Sequence, residues 1–225
     1  MSTAAIIANP RVGAELGHLE PWLQGNGFTI RRLVRDDVLP VDATDDADLV
    51  IVLGSVWTMA RTMDSPEDPP QAAAAIAAET ALVQRRVSQD RPLLGICFGG
   101  QLLSAALGGE VTRQPQAHIA WETPVTSIDE LRAPWMLLHN DAFTVPSGAE
   151  LLAEAGHAPV AFRYGRAWGL QFHPEVDAAI LSRMFQDVGT SPDVAAAYVD
   201  AAAVRADEQR ADSLRLFDRF WAEVS

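Results

Sequence analysis

Short apolar runs alternate with stretches of helical spacing in the first half of the chain. The apolar runs predict strands at residues 4–8, 28–34, 49–53 and 92–96. Apolar residues three and four positions apart predict helices at residues 12–23, 71–88 and 98–107. The Asp- and Pro-rich segments 35–48 and 57–70 predict loops. This alternation is typical of a parallel sheet with helices on both faces, in which functional residues gather at the carboxyl ends of the strands.

The second half of the chain has a different pattern, with strands separated by short turns. The predicted strands lie at residues 109–112, 119–128, 135–138, 160–164 and 167–172. We expect some of them to extend or flank the main sheet. Two helices are predicted at 177–188 and 192–224, and the second carries apolar residues at helical spacing at Leu214, Phe217, Phe220, Trp221 and Val224. The pattern as a whole predicts a single α/β domain over residues 1–225, with a mostly parallel central sheet and added antiparallel strands.

The composition narrows the class of protein. A length of 225 residues suits one domain with a full core, and 48% hydrophobic with 21% charged residues is ordinary for a globular protein. The net charge of −13 argues against a nucleic-acid surface, because phosphate binding needs clustered Lys and Arg. The single cysteine excludes an internal disulfide, no apolar run approaches the length of a membrane span, and a strand rather than a signal peptide is predicted at the start. We therefore expect a cytoplasmic protein that binds neither nucleic acid nor membrane.

The segment RPLLGICFGGQLLSAALGG, at residues 91–109, carries the strongest chemical signal. Cys97 lies between the strand predicted at 92–96 and a helix predicted to begin at Phe98, with glycines on both sides. A strand, a tight turn and a helix in this order form a nucleophile elbow. The helix N-terminus carries about half a positive charge, which stabilises a thiolate. A lone cysteine after an apolar strand is otherwise a small buried apolar residue, and this alternative stays open on the segment alone.

A second informative segment is GLQFHPE, at residues 169–175. In an extended backbone, residues two apart point to the same side, so His173 and Glu175 are predicted to be neighbours. Pro174 restricts His173 to an extended conformation. A carboxylate beside an imidazole fixes its tautomer, and such an imidazole serves as base to a thiol. On its own, a His-Pro-Glu sequence is more commonly a turn at the end of a strand.

Together these motifs resemble the class I glutamine amidotransferases, in particular those similar to the glutaminase domain of GMP synthetase. The resemblance rests on GICFGGQ at 95–101, on FHPE at 172–175, and on their order and separation. The segments LGS at 53–55, HND at 139–141 and AFRYG at 161–165 also look like landmarks of this family. The resemblance covers about residues 49–175 and implies a flavodoxin-like three-layer α/β/α fold.

The resemblance implies a cysteine hydrolase mechanism with a catalytic triad. Cys97 would attack the γ-carbonyl of a glutaminyl group and form a γ-glutamyl thioester. His173 would accept the thiol proton and later protonate the leaving ammonia, while Glu175 would orient His173. Water would then hydrolyse the thioester to glutamate.

The resemblance also assigns residues around this triad. The backbone N–H groups of Gly54 and Phe98 would form an oxyanion hole, and Gln101 would hold the polar end of the substrate. His139 and Asp141 are interpreted as supporting or partner-facing. The chain departs from the family pattern at 56–57, where Val-Trp replaces a proline-containing loop. No metal-ligand spacing and no dinucleotide fingerprint is present, so neither a metal nor a cofactor is expected.

Three functional hypotheses follow. The first is a glutaminase-type amidotransferase that passes ammonia to a separate synthetase. The second is a free-standing γ-glutamyl hydrolase or peptidase, and the altered loop at 56–57 favours an unusual substrate. The third is a non-catalytic binding module, which the intact set of Cys97, His173 and Glu175 disfavours. The other α/β hydrolases with a nucleophile elbow are disfavoured because their acidic residue precedes the histidine in sequence.

Overall fold

The computed structural model describes residues 2–12, 15–60, 68–156 and 158–225. Its strands are β1 (Ser2–Ala8), β2 (Phe28–Val34), β3 (Leu49–Val52), β4 (Leu93–Ile96), β5 (Val111–Glu122), β6 (Trp135–Phe143), β7 (Glu150–Ala155), β8 (Ala158–Tyr164) and β9 (Ala167–Leu170). Its helices are α1 (Leu19–Gly25), α2 (Ala72–Ser88), α3 (Phe98–Ala106), α4 (Ala178–Asp187), α5 (Pro192–Val204) and α6 (Ala206–Val224). No helix in the described ranges has the length and apolar character needed to cross a bilayer.

The central sheet has the strand order β2-β1-β3-β4-β9-β8-β7. The first five of these strands pair in parallel, whereas β8 and β7 add to the β9 side in antiparallel orientation. The parallel part has the 2-1-3-4-5 order of flavodoxin-like folds. Strands β5 and β6 pair with each other in a separate two-stranded sheet. The fold class predicted from the sequence, with its added antiparallel strands, is therefore confirmed.

Alternate residues of the parallel strands enter two different cores. Ile6 and Ile51 pack with α1 and α6 on one face of the sheet, while Ile7 and Val52 pack with α2 and α3 on the other. Because a strand points successive side chains to opposite faces, an uninterrupted apolar run is buried on both sides only when helices cover both. The sheet thus lies between two layers of helices, with one core on each of its faces, in a three-layer α/β/α arrangement. A third, smaller core lies between β6, α4 and α5.

Most of the predicted elements of the first half are present within a few residues of their predicted bounds. The helix predicted at 12–23 is the exception, because α1 begins only at Leu19. Gly17 has a φ of +52°, and a Cβ atom there would lie 1.9 Å from the carbonyl oxygen of Glu175. This close packing in a left-handed conformation separates α1 from the residues before it. Residues 13 and 14 of the predicted helix lie outside the described ranges. The loop predicted at 57–70 includes residues 61–67, which lie outside the described ranges.

The second half differs more from the prediction. The strands predicted at 109–112 and 119–128 belong to one strand, β5, which ends at Glu122 and is irregular between Arg113 and His118. Strand β7 was not predicted. The single helix predicted at 192–224 is wrong, because the chain turns at Arg205 between α5 and α6. Helix α5 packs on α4, whereas α6 packs on the main sheet. A single straight helix over residues 192–224 could not contact both of these cores.

Candidate active site

Cys97 lies at the carboxyl end of β4, where the chain passes directly into α3. Its φ and ψ are 52° and −107°, a positive φ that a non-glycine residue adopts only in a constrained turn. The backbone N–H of Cys97 donates to the carbonyl of Leu170 at 2.7 Å, which ties the turn to the neighbouring strand β9. The residue is 6% exposed. The backbone therefore holds the Cys97 side chain in one direction, at the N-terminus of a helix.

Two glycines after Cys97 allow α3 to contact the backbone of the sheet. A Cβ atom on Gly99 would lie 2.0 Å from the carbonyl oxygen of Val52 in β3, and one on Gly100 would lie 2.5 Å from that of Leu170 in β9. Any larger residue at either position would push the first turn of the helix away from the strands. The glycine spacing noted in the sequence thus sets the position of Cys97 relative to both neighbouring strands.

His173 and Glu175 follow β9 and form a buried pair. The His173 backbone N–H donates to the backbone carbonyl of Met136 at 2.9 Å, and the His173 Nδ1 atom lies 2.8 Å from Glu175 Oε1. Because an ionised carboxylate only accepts hydrogen bonds, Nδ1 is the donor. Among the described residues, His173 Nε2 has no hydrogen-bond partner. This arrangement leaves Nε2 available on the side of the ring opposite to Glu175.

The electrostatic surroundings of His173 favour its charged form. Burial lowers the pKa of His173, but the electrostatic attraction of Glu175 and Cys97, together with the hydrogen bond from Nδ1 to Glu175, outweighs burial. The pKa of His173 is therefore raised well above 6.5. The charged form of His173 is therefore stabilised at this position beside Cys97 and Glu175.

The residues predicted to supply the oxyanion hole lie beside the thiol. A Cβ atom on Gly54 would lie 3.2 Å from His173 Cε1 and 3.7 Å from Cys97 Cβ, so the backbone at the end of β3 passes against both side chains. Phe98 is the first residue of α3, where backbone N–H groups have no acceptor within the helix. The structure thus brings these two backbone positions together with Cys97 and His173.

Gln101 is buried near the thiol and makes contacts within the protein. Its Nε2 atom donates to the carbonyl of Asp141 at 2.9 Å and lies 3.4 Å from Gln171 Oε1. Gln171 Nε2 lies 3.7 Å from Cys97 Sγ, a contact that was not predicted from the sequence. Gln171 lies directly after β9, in a bend, so its direction toward Cys97 depends on the three-dimensional path of the chain and has no local sequence signal.

Asp141 fastens the loop that follows β3. Its buried Oδ2 atom accepts hydrogen bonds from Thr58 Oγ1 at 2.5 Å and from the Met59 backbone N–H at 3.1 Å. His139 Nδ1 lies 2.9 Å from the Asp141 carbonyl oxygen. Both residues make contacts within the protein, and their interpretation as supporting or partner-facing stays a prediction.

Two cavities meet at Cys97. The larger has a volume of about 510 Å³, and its polar wall includes Gln101, Arg113 and Asp141. The other is bounded by Cys97, His173, Glu175 and the apolar side chains of Ile180, Met184 and Val188. Within the described ranges, no group of three or more His, Cys, Asp or Glu residues is arranged to hold a metal ion. The site has room for organic ligands on both sides of the thiol.

Sequence comparison relates the chain to a family of amidotransferases and to proteins named as glutamine-hydrolysing synthases. The sequence model of the family described as glutamine amidotransferase class-I matches residues 38–186. The GMP synthase [glutamine-hydrolyzing] of Bdellovibrio bacteriovorus is 35% identical over 107 residues, which are 44% of this chain and 21% of that protein. The protein of the same name from Thermus thermophilus is 41% identical over 102 residues, or 41% of this chain and 20% of its own length. The matched segment thus spans about a fifth of these curated relatives.

Solved structures share the fold over nearly the whole chain. A glutamine amidotransferase from Thermotoga maritima superposes with a TM-score of 0.75 at 21% identity, covering 97% of each chain. A glutamine amido transferase from Methylobacillus flagellatus gives a TM-score of 0.75 at 24% identity, covering 100% of this chain and 96% of the other. These likenesses establish the fold. Because the family model matches about two thirds of the sequence, including both motifs, the chain belongs to the class I glutamine amidotransferase family.

Proposed function

We propose that the protein hydrolyses the γ-amide of glutamine with Cys97 as nucleophile, His173 as base and acid, and Glu175 as the residue that orients His173. The observation that carries this proposal is the buried His173–Glu175 pair beside a thiol on a constrained strand-to-helix turn. This turn is the geometry expected of a nucleophile elbow. The raised pKa of His173 supports the proposal, because it reflects a site in which an imidazolium is stabilised next to a thiolate.

The first half of the proposed reaction forms a thioester and releases ammonia. The Cys97 thiolate attacks the γ-carbonyl carbon, and the carbonyl electron pair moves onto the oxygen. The N–H groups of Gly54 and Phe98 stabilise this oxyanion as it develops. His173, protonated at Nε2 by the thiol proton, then donates that proton to the amide nitrogen. The carbon–nitrogen bond breaks, and ammonia leaves.

The second half hydrolyses the thioester. Neutral His173 takes a proton from a water molecule through Nε2, and the resulting hydroxide attacks the thioester carbonyl in the same oxyanion hole. The carbon–sulfur bond breaks, glutamate is released, and the Cys97 thiolate is regenerated beside His173, which now carries the proton taken from water. Throughout, Glu175 keeps the hydrogen on Nδ1, so that Nε2 is always the atom that exchanges the proton.

The larger cavity is proposed to take the amino-acid end of the substrate. Gln101 lies in its wall, and this position supports the proposal that its side chain contacts the polar end of the substrate. Because Gln101 Nε2 is already bonded to the Asp141 carbonyl, its amide oxygen is the group that would accept a hydrogen bond from the substrate ammonium. The rim of the same cavity includes the Arg113 guanidinium, which is 44% exposed.

The proposed fate of the ammonia is transfer to a separate synthetase. The relatives named GMP synthase are about five times longer than the matched segment, so residues outside this match carry the remainder of their activity. One observation favours a second candidate, a γ-glutamyl hydrolase or peptidase. The cavity beside His173 has apolar side chains in part of its wall, from Ile180, Met184 and Val188, and charged side chains in another part, from Arg11, Glu15, Arg183 and Asp187. The apolar part suits a leaving group larger than ammonia.

Glutamate release distinguishes these functions. We would incubate the purified protein with L-glutamine and, in parallel, with γ-glutamyl peptides that carry an apolar second residue. Release from glutamine that is lost in Cys97→Ala supports the glutaminase. A kcat/KM about tenfold or more higher for the peptides supports the peptidase instead. Equal release by the wild-type protein and Cys97→Ala contradicts both.

A further inference from the structure

Arg35 is a buried arginine that the proposed mechanism does not use. It begins the short 3-10 turn Arg35–Asp37 after β2, and its side chain is inaccessible to solvent. Its Nε and Nη2 atoms donate to the two carboxylate oxygens of Glu79 in α2, at 2.7 and 3.1 Å. A bidentate pair of this kind fixes the plane of the guanidinium as well as its position.

The remaining donors of Arg35 contact the backbone at the end of β3. Its Nη2 donates to the Leu53 carbonyl at 3.0 Å, and its Nη1 donates to the Gly54 carbonyl at 3.3 Å. In a planar trans peptide, the C=O of Leu53 and the N–H of Gly54 point in opposite directions. By holding the Leu53 carbonyl on one side of the chain, Arg35 directs the Gly54 N–H to the other. A cation on the carbonyl also polarises the peptide and strengthens that N–H as a donor.

The same guanidinium contacts the second proposed oxyanion donor. Its central carbon lies 4.4 Å from the centroid of the Phe98 ring, a cation–π distance. Asn9 Oδ1 accepts a hydrogen bond from Arg35 Nη1 at 3.1 Å and one from Ser55 Oγ at 2.6 Å, which ties the loop after Gly54 to the same group. One buried cation thus links β1, β3, α2 and the start of α3 behind Cys97.

We propose that Arg35, held by Glu79, is a positioning residue that sets the direction of the Gly54 N–H and its spacing from Phe98. This inference rests on the proposed function, since it concerns the oxyanion hole of that reaction. Through the Gly54 N–H, Arg35 affects the negative charge that develops on the substrate oxygen in the transition state, and it leaves the Cys97 thiolate unchanged. The expected signature is a loss of kcat with little change in KM, and with unchanged reactivity of Cys97 toward reagents that form no oxyanion.

The main variant is Arg35→Lys. Lysine keeps a positive charge near Glu79 but lacks the planar fork, so it cannot hold both carbonyls and the carboxylate at once. Misplacement of a reacting group by about 1 Å lowers the rate of catalysis about a hundredfold. We therefore expect kcat for glutamate release to fall by about this factor, while KM stays within about threefold of the wild-type value. Alkylation of Cys97 by iodoacetamide, in which the thiolate displaces iodide and no oxyanion forms, should stay within about threefold of wild type.

Arg86→Met is the matched control. Arg86 is also buried, and its guanidinium donates to the backbone carbonyls of Ala47, Asp48 and Pro92 at the opposite end of the sheet. This variant should be less stable to heat but keep the wild-type kcat. If Arg35→Lys does not fold, the double variant Arg35→Met with Glu79→Leu removes both buried charges together, which proteins tolerate far better than the loss of one.

The outcomes separate the positioning role from the proposed function. A fall in kcat without a fall in the alkylation rate, absent from Arg86→Met, supports the role of Arg35. Unchanged kcat in the Arg35 variant overturns it, and so does a parallel loss of kcat and alkylation, which would indicate general damage to the site. A wild-type protein that releases no glutamate from any γ-glutamyl substrate refutes the proposed function, and the positioning role with it.

Discussion

Replacement of Glu175 by Gln removes one negative charge from the site while keeping the size of the side chain. Glu175 Oε1 lies 2.8 Å from His173 Nδ1, and the two side chains are 8% and 2% exposed. The amide introduced by the substitution could still accept a hydrogen bond from Nδ1 through its oxygen. The variant therefore tests the charge of the pair separately from its packing.

The expected loss follows from the geometry of the pair. At an effective dielectric constant of about 20, charges centred about 4 Å apart attract by about 4 kcal/mol. Without Glu175, the imidazolium that protonates the leaving nitrogen has to form without this attraction, so the attraction sets the scale of the loss. Because about 1.4 kcal/mol corresponds to a tenfold change in rate, we expect Glu175→Gln to lower kcat/KM for glutamate release about a thousandfold.

The assay is steady-state glutamate release, with thermal unfolding as a check on the fold. Glu122→Gln is the matched control, because Glu122 Oε1 pairs with His118 Nε2 at 2.9 Å on strand β5 and lies outside both cavities. The control should retain wild-type turnover. Turnover by folded Glu175→Gln within about tenfold of wild type would refute the assigned role of this carboxylate.

Two further predictions concern stability. Gly99→Ala should lower the free energy of unfolding by about 1–3 kcal/mol, because the added methyl group would approach the Val52 carbonyl oxygen to 2.0 Å. An unchanged urea midpoint would contradict this prediction, because it would mean that α3 shifts away from β3 without loss of stability. The pKa of His173 is raised by folding, so the stability contributed by its charged form is fully present below pH 6.5 and is lost as the pH rises through the raised value. Urea unfolding from about pH 6 to 9 should show this loss, and it should be smaller in Glu175→Gln; equal slopes would contradict the assigned pair.

The sequence predicted the elements that carry the candidate site because their signals are local. The apolar runs before Gly54 and Cys97 predicted β3 and β4 within one residue. His173 and Glu175 are neighbours as expected, but they lie in the bend and turn that follow β9 and not in the extended strand from which their proximity was predicted. Strand β7, with the sequence ELLAEA, was missed because Ala and Glu, which make up four of its six residues, are depleted in strands. The turn at Arg205 was missed because no Gly or Pro marks it, and only the packing of α5 and α6 on different cores requires it.

Arg35 shows a second limit of sequence-based prediction. It lies in a segment rich in Asp and Pro, where an arginine is expected to face solvent. Its burial depends on Glu79, which is 44 residues away, and on backbone carbonyls of another strand. No local sequence pattern encodes such a pairing, so the contact of Arg35 with the backbone at Gly54 can be identified only from the three-dimensional structure.

Partition of the acyl group to hydroxylamine tests the central proposal, a γ-glutamyl thioester on Cys97, most directly. Hydroxylamine competes with water for a thioester, so the account predicts γ-glutamyl hydroxamate formed at the expense of glutamate when the protein turns over L-glutamine. Cys97→Ala should produce neither product. Glutamate release that yields no hydroxamate at any hydroxylamine concentration, or that persists in Cys97→Ala, would contradict the account.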